Sequence, residues 1–427
     1  MPTRITILHT NDLHGRVEQL ARVATLVRRI RAETAHAVLY VDAGDFEETT
    51  NRLSNLTKGT AMQPILSSAG CQAACVGNAV WLRYGAQVVA DHAAAASYPL
   101  LLANLVPVQG VRPTATIEGV GFVGVTDAFR DFLAVGDYGI EPLDEVETVR
   151  RHARELREQG ASLVVVLSHL GLGEMDDRRG ERVTDRELAA ALAGEIDVIV
   201  GAHSHDLLPA GEWVDGVLIA QAGALGGHLG RIDVDGREMR ASVVPIGAEI
   251  PPDPGVLAVA EREERALEGS LNEILADLAD PLDASRIAEI LRRRMGADVG
   301  LQTSGAAIDR PLPAGPLRRA ELWEACHSTG NPGVVSMTGA QLLHVIERGA
   351  DPEFQQTTAR PLRGRPRGPL HVAASNGIHP DRTYLVAGTD WELEPYGGMV
   401  DEAWGLHVRY DFPVILREAV EEHFART

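Results

Sequence analysis

Through roughly the first 250 residues, short apolar runs that end in polar residues alternate with amphipathic segments. Ile5 to Leu8, Val38 to Val41, Leu163 to Leu167 and Ile196 to Val200 have the length and β-branched content of strands. Between them lie helical patterns. One begins at Asp144, a good N-cap, and repeats its apolar positions at Val146, Val149, Ala153 and Leu156. Strand, helix, strand is the recurring unit, which predicts a layered α/β domain.

The Pro251-Pro252-Asp253-Pro254-Gly255 cluster is the clearest break in this pattern. It is followed by a charged amphipathic stretch with Leu267, Leu271, Ile274 and Leu278 on one face of a predicted helix. The expected organisation is therefore a first domain over 1–250, a linker helix over 251–280 and a second α/β domain over 281–427. In that last part Arg286 to Met295 and Gly339 to Arg348 have a helical pattern, and Thr383 to Ala387 that of a strand. The segment from Arg360 to Pro369 is a basic loop rich in proline and glycine, most simply a solvated connection, with arginines able to meet an anionic ligand.

Length and composition agree with two soluble domains. The 427 residues exceed one ordinary core, and no apolar run approaches the ~20 residues that span a bilayer. Sixty acidic against 40 basic residues give a net charge of −20, which repels a phosphate backbone, so nucleic-acid polymers and membranes are not expected partners. The start, Met1-Pro2-Thr3-Arg4 running into Ile5, has no signal-peptide series, and a cytoplasmic location is expected. Cys71, Cys75 and Cys326 have neither a disulfide framework nor zinc-site spacing, and read as buried thiols. No signal for an oligomeric state stands out.

The chemistry gathers immediately after the predicted strands. Asp12 and His14, Asp45, Asn78, His169, and His203 and His205 occupy such positions, and the strand ends of an open α/β sheet converge on one place. Taken singly, each has a bland explanation: Asp12 and Asn78 can cap turns, and a lone histidine after a strand is usually just hydrogen-bonded. Jointly they form a donor set of oxygen and nitrogen without thiolate, which suits two divalent ions of the Mn, Zn, Fe, Co or Mg type. Two such cations need a carboxylate between them to offset their repulsion, and Asp45 is assigned that place.

The segments Thr10-Asn11-Asp12-Leu13-His14-Gly15, Asp42-Ala43-Gly44-Asp45, Gly77-Asn78, Ser168-His169 and Gly201-Ala202-His203-Ser204-His205, in this order, resemble the calcineurin-like metallophosphoesterases, specifically their 5'-nucleotidase branch. Leu301 to Gly305, Pro311 to Pro316 and Met337 to Leu342 are similar to landmarks of that branch's C-terminal substrate domain. The resemblance implies an α/β fold: a four-layer metallophosphoesterase sandwich followed by a smaller α/β C-terminal domain. It implies Asp12, His14, Asp45 and His205 around one metal, and Asp45, Asn78, His169 and His203 around the other. It also implies hydrolysis of a phosphate ester by a water activated between the two metals, without a covalent phosphoenzyme.

The chain departs from the family at several places. Where relatives read Gly-Asn-His-Glu-Phe-Asp, this sequence has Gly77-Asn78-Ala79-Val80-Trp81-Leu82, so the usual histidine and its orienting aspartate are both absent. Arg83 is a candidate replacement charge, with His92 and His228 as others, against routine salt bridging and packing. Asp45, Asn78 and Arg83 are thus the residues assigned to catalysis. Trp81 is read as core rather than as a stacking surface, and Glu47 and Glu48 as solvated residues at a helix start. In the second domain Asp309 stands where the family's phosphate-binding arginine is expected, leaving Arg310 as its shifted substitute. One base-sandwiching ring is missing from His327-Ser328-Thr329-Gly330-Asn331, and the other survives as Trp391 or Tyr396; Met399 replaces the aspartate after Gly397-Gly398.

The resulting expectation is a metal-dependent phosphoesterase acting on a nucleotide or related small phosphorylated molecule, with reduced or altered activity. The alternative is a catalytically weak or inactive metal-containing protein that binds a phosphorylated ligand. A structural relic that has lost its metals stands third.

Overall fold

The computed structural model describes residues 4–79, 81–128, 139–173, 182–326, 328–358, 366–374 and 376–425. Val80, His327 and the residues from Arg360 to Arg365, all named above, lie outside them. The chain divides into two compact units, with the division between Ala266 and Leu267.

The first unit is built on two six-stranded sheets. In chain order their strands are β1 (Arg4–Thr10), β2 (Ala37–Asp42), β3 (Ala73–Cys75), β4 (Leu100–Leu101), β5 (Thr114–Ile117), β6 (Val120–Thr126), β7 (Leu163–His169), β8 (Val198–Val200), β9 (Glu212–Val214), β10 (Val217–Ala220), β11 (His228–Asp235) and β12 (Glu238–Pro245). One sheet has the order β12-β11-β1-β2-β3-β4 and the other β9-β10-β8-β7-β6-β5. Within each, the central strands run parallel: β1 with β2 and β3, and β6 with β7 and β8. Their carboxyl ends therefore fall on one side.

Residues of period two divide the faces. Ile5, Ile7, Leu39 and Val41 of the first sheet share a buried cluster with Phe122, Val165, Leu167 and Val200 of the second, so the two sheets pack face to face. The intervening residues Val123, Val125, Val164 and Val166 turn the other way and bury Val149, Ala153, Leu156 and Leu188. Those belong to α2 (Glu145–Glu158) and α3 (Asp185–Ala191), while α1 (Val17–Glu33) covers the first sheet with Leu20, Val23, Val27 and Ile30. Helix, sheet, sheet, helix is the four-layer sandwich. Each fully buried Leu, Ile or Val of these faces contributes about 1.5–3 kcal/mol. Asp144 caps α2 as its position predicts, accepting from the Glu147 amide.

The expected linker helix is shorter than its apolar pattern. Helix α4 covers Pro254–Leu271, and Ile274–Leu278 is a strand paired antiparallel with Gly315–Arg318. The Asn272 side chain and amide both turn back on the Glu268 carbonyl, ending the helix, and the partner strand then overrides the helical spacing.

In the second unit, α5 (Ala284–Arg294) and α6 (Gly339–Ala350) accompany a five-stranded sheet. Its strands are β13 (Val299–Thr303), β14 (Pro332–Thr338), β15 (Leu370–Ala374), β16 (Thr383–Thr389) and β17 (Arg409–Tyr410), in the order β15-β13-β16-β14-β17. The three cysteines are buried and free. Among the described residues no helix is long and apolar enough to cross a membrane.

Candidate metal centre

The polar residues that end β1, β2, β7 and β8 meet beyond the sheets. The loops after β1 and β2 are zipped together by Asp12 N–H to Gly44 O (2.9 Å) and His14 N–H to Asp45 O (2.9 Å), which extends the parallel pairing of the strands that carry them. Five of the seven predicted donors have left-handed backbone: Asp12 (φ 50°), His14 (44°), Asp45 (57°), His203 (71°) and His205 (61°). Only nine described non-glycine residues do so at all, and concentrated strain of this kind, costing of order 1–3 kcal/mol per residue, is typical of functional sites. Gly44, at φ 101°, has no room for a side chain, because a Cβ would lie 2.7 Å from the Gly77 amide and 2.9 Å from His169 Nδ1.

Two overlapping groups have the geometry to hold a cation. Asp12, His14 and His205 form one, and Asp12, Asp45 and His169 the other, each with ligand atoms within 4.8 Å of one another. Asp12 Oδ1 is the shared atom, 3.4 Å from His205 Nε2 and 3.9 Å from the Nε2 atoms of His14 and His169. His14 Nε2 and His205 Nε2 are themselves 3.1 Å apart. Asp45 Oδ2 lies 3.2 Å from His169 Nε2, and Asn78 Oδ1 3.1 Å from the same atom. His203 stands beside this group, its ring centroid 5.1 Å from that of His169.

His169, Asp12 and Asp45 are fixed from behind, and acids stand close to His14 and His203. His169 Nδ1 donates to the Ala43 carbonyl at 2.8 Å, which turns Nε2 toward the carboxylates. His14 Nδ1 lies 3.4 Å from Glu48 Oε2 with Nε2 likewise turned inward, and His203 Nε2 lies 3.8 Å from Asp127 Oδ2. Asn11 Nδ2 donates to Asp12 Oδ2 at 2.7 Å, while the Asn11 amide oxygen accepts from Ala222 N–H. The Ala79 amide donates to Asp45 Oδ1 at 2.8 Å, and Asp42 accepts from the Gly44 amide at 2.9 Å.

The electrostatics ask for positive charge. Burial pushes the Asp12 and Asp45 carboxyls up, but nearby imidazoles outweigh it: His205 and His169 hold Asp12 below its ordinary value, and His169 with His14 hold Asp45 well below. His169 responds in the opposite sense. Burial pulls it down, yet Asp45 raises it to about 10, while His203, desolvated and facing His169, falls to about 3. The field of Asp45 acts on all four histidines. Two buried carboxylates ringed by imidazole nitrogens are a donor set that suits divalent ions.

Other predicted residues fall elsewhere. Glu47 and Glu48 are not solvated: Glu48 is buried against His14, and Glu47 bonds Gln63 and approaches His92, because the loop after β2 folds inward rather than starting a helix. His92 Nε2 donates to the Lys58 carbonyl (2.7 Å) and is committed to that packing. Trp81 is buried core, and Arg83 is half-buried two residues on. In the second unit Arg310 is exposed, whereas Trp391 and Tyr396 meet edge to face at 5.2 Å, with the Tyr396 hydroxyl on Asp390. Asp127 was legible as one more acid after a strand, β6, and Asn11 and Asp42 stand at strand ends within the quoted segments; Arg182 (bonded to Asp127) and Asp185 carry no such signal.

Residues 5–207 match the family model for calcineurin-like phosphoesterases and residues 253–412 that for the 5'-nucleotidase C-terminal domain. The chain is 25% identical over 407 residues to the uncharacterized metallophosphoesterase YunD of Bacillus subtilis, covering 87% of this chain and 84% of that one. It is 30% identical over 276 residues to the snake venom 5'-nucleotidase of Gloydius brevicauda, covering 54% of this chain but only 45% of the venom enzyme. The crystal structure of the 5'-nucleotidase precursor from Thermus thermophilus superposes with a TM-score of 0.60 at 20% identity, over 99% of this chain and 96% of that one, and so shares the two-domain fold. The chain belongs to the calcineurin-like metallophosphoesterases with a 5'-nucleotidase C-terminal domain, a family of phosphate-ester hydrolases that carry divalent metal ions.

Proposed function

We propose that this protein hydrolyses a phosphate ester of a small molecule, of the nucleotide class, using two divalent ions held by Asp12, His14, Asp45, Asn78, His169, His203 and His205. The observation that carries the reading is the convergence of the His14, His169 and His205 Nε2 atoms on Asp12 Oδ1, with Asp12, His14 and His205 held in left-handed backbone and His169 at the end of a strand. When bound, such ions supply Lewis-acid charge and an activated water. Asp45, with Oδ2 3.2 Å from His169 Nε2, is the carboxylate assigned between the two ions, although Asp12 is the carboxylate common to both donor groups. The Ala43 carbonyl orients His169 and Asn11 orients Asp12, while Glu48 and Asp127 stand close to His14 and His203, so little reorganisation accompanies the reaction. Trp391 and Tyr396 are the candidate surface for the organic part of the substrate.

The test is hydrolysis of p-nitrophenyl phosphate with Mn²⁺, together with elemental analysis. Turnover that Asp45→Ala removes, and two metals per chain, are expected. No turnover of any monoester, diester or nucleotide across Mn²⁺, Co²⁺, Zn²⁺ and Mg²⁺ refutes the proposal.

One observation favours a second reading, a metal-containing binding protein. Ala79 and the buried Leu82 offer no acid where relatives place a histidine and an aspartate, roles worth about 10²- to 10⁴-fold in rate. A phosphorylated ligand that raises the melting temperature of the metal-loaded protein and is recovered intact would decide for it.

A further inference from the structure

The basic loop that precedes β15 sends one arginine into the second unit. Arg367 is only 7% exposed. Its backbone is pinned, since its carbonyl accepts from the Gly305 amide (2.8 Å) and its amide donates to the Thr357 carbonyl (3.1 Å). The side chain is pinned as well. Its guanidinium lies 4.8 Å from the centre of the Phe354 ring, and Nε donates to Thr357 Oγ1 at 3.1 Å.

That leaves a buried cation with most of its donors unused. A guanidinium has five N–H groups, and among the described residues only the one on Nε has a partner. No described carboxylate lies within salt-bridge distance. Arg348 stacks on the same Phe354 ring at 4.5 Å, which adds repulsion, but Arg348 is answered by Asp351 at 3.0 Å. Glu392, whose charge reaches Arg367, is committed to Thr303 and Thr389. Burial disfavours the charged guanidinium, and backbone and side chain together hold it in one place before any ligand arrives.

The free end has an approach. Arg367 Nη2 is 3.7 Å from where a Cβ on Gly398 would stand, with Phe354 Cε2 at 3.3 Å beside it, and Gly398, a left-handed turn residue (φ 80°), adds no side chain there. The Nη atoms keep contact with solvent, which leaves their donors open to a ligand. The same Gly397-Gly398 turn closes the segment that carries Trp391 and Tyr396.

We propose that Arg367 anchors an oxyanion site in the C-terminal unit, binding a phosphate group through its Nη donors beside the Gly397-Gly398 turn. A planar fork that is rigid before the ligand arrives suits bidentate capture of phosphate oxygens. The unit thereby regains a buried phosphate-binding arginine from a different loop, while Asp309 occupies the position where relatives are expected to have one and Arg310 is exposed. The choice of phosphate over other oxyanions rests on the phosphoesterase reading above; the existence of the site does not.

The test is a crystal of the full chain soaked in sodium tungstate, a heavy phosphate analogue, with the anomalous map read at Arg367. A peak within hydrogen-bond reach of the Nη atoms is expected, displaced by inorganic phosphate but not by acetate of equal ionic strength, and lost in Arg367→Gln crystals. An empty map at Arg367 in the wild-type protein overturns the site, whatever the variant does. Displacement by acetate as readily as by phosphate overturns the phosphate assignment. Neither outcome bears on hydrolysis of p-nitrophenyl phosphate, so failure here and failure of the phosphoesterase reading are separate results.

Discussion

Asp185 offers a way to read the interior of the first unit through pH. It is fully buried at the start of α3, where Thr184 and Glu187 form a capping box. Its Oδ1 accepts from Ser168, next to His169, and its Oδ2 has no hydrogen-bond partner among the described residues and points at Gly201, where a Cβ would lie only 2.4 Å away. Burial, only partly offset by the Ser168 bond and by His169, raises its pKa from 3.8 to about 7. The folded state thus binds this proton more tightly than the unfolded one. The associated stability is complete below pH 3.8 and is lost as pH rises through 7. Between pH 5.5 and 8.5 the loss is the stretch up to the folded pKa, about 1.5 units at 1.36 kcal/mol each, or about 2 kcal/mol. For a unit of this size that corresponds to about 4–8 °C in melting temperature. Asp185→Asn removes the titration and nearly keeps the shape. Melting temperatures of wild type and variant, measured across that range at one saturating Mn²⁺ concentration, should therefore converge or cross as pH rises, with the variant's curve flatter by that amount. Parallel curves would show that the buried acid carries no proton, and the reasoning from its desolvation would be wrong.

Three further outcomes follow from the contacts of the donor set. Glu48→Ala should weaken metal binding about 10- to 100-fold, measured by titration calorimetry with Mn²⁺, because His14 loses the carboxylate that faces its Nδ1; an unchanged affinity would remove Glu48 from the site. Gly77→Ala should abolish occupancy of part of the centre while leaving the circular dichroism spectrum intact, since a Cβ there would sit 2.0 Å from Asp45 Oδ1 and drive that carboxylate away; elemental analysis checks it. Ala79→His combined with Leu82→Asp should raise kcat for p-nitrophenyl phosphate about 10²-fold or more by restoring a charge-stabilising pair, and no gain would mean that the missing dyad is not what limits the rate.

The donors were legible because they obey a local rule. A strand end in a parallel sheet is a fixed address, so Asp12, Asp45, His169 and His203 could be assigned to one place from apolar runs alone. The partners behind them obey no local rule. Asn11 reaches Asp12 and the backbone near Ala222 at once, and nothing in the sequence announces a pairing across that distance. Glu48 was misjudged for a related reason: an acid shortly after a strand is usually solvated, and only the inward fold of its loop, tied by the Ser54 hydroxyl to the Glu48 amide, turns it toward His14. The helix read through to Leu278 failed where a distant strand, Gly315–Arg318, competed for the same residues.

The fate of the missing dyad follows from which part of residue 79 the site uses. Asp45 Oδ1 is held by the Ala79 amide, a backbone group that any residue there supplies. Trp81, which begins the next helix, is anchored in the core. Holding the donors and supplying an acid are therefore separate demands on this segment, made of backbone and of side chain respectively. The backbone contact to Asp45 is therefore compatible with Ala79 and Leu82 at these positions. The same separation predicts that the double replacement will change kcat with little effect on metal affinity.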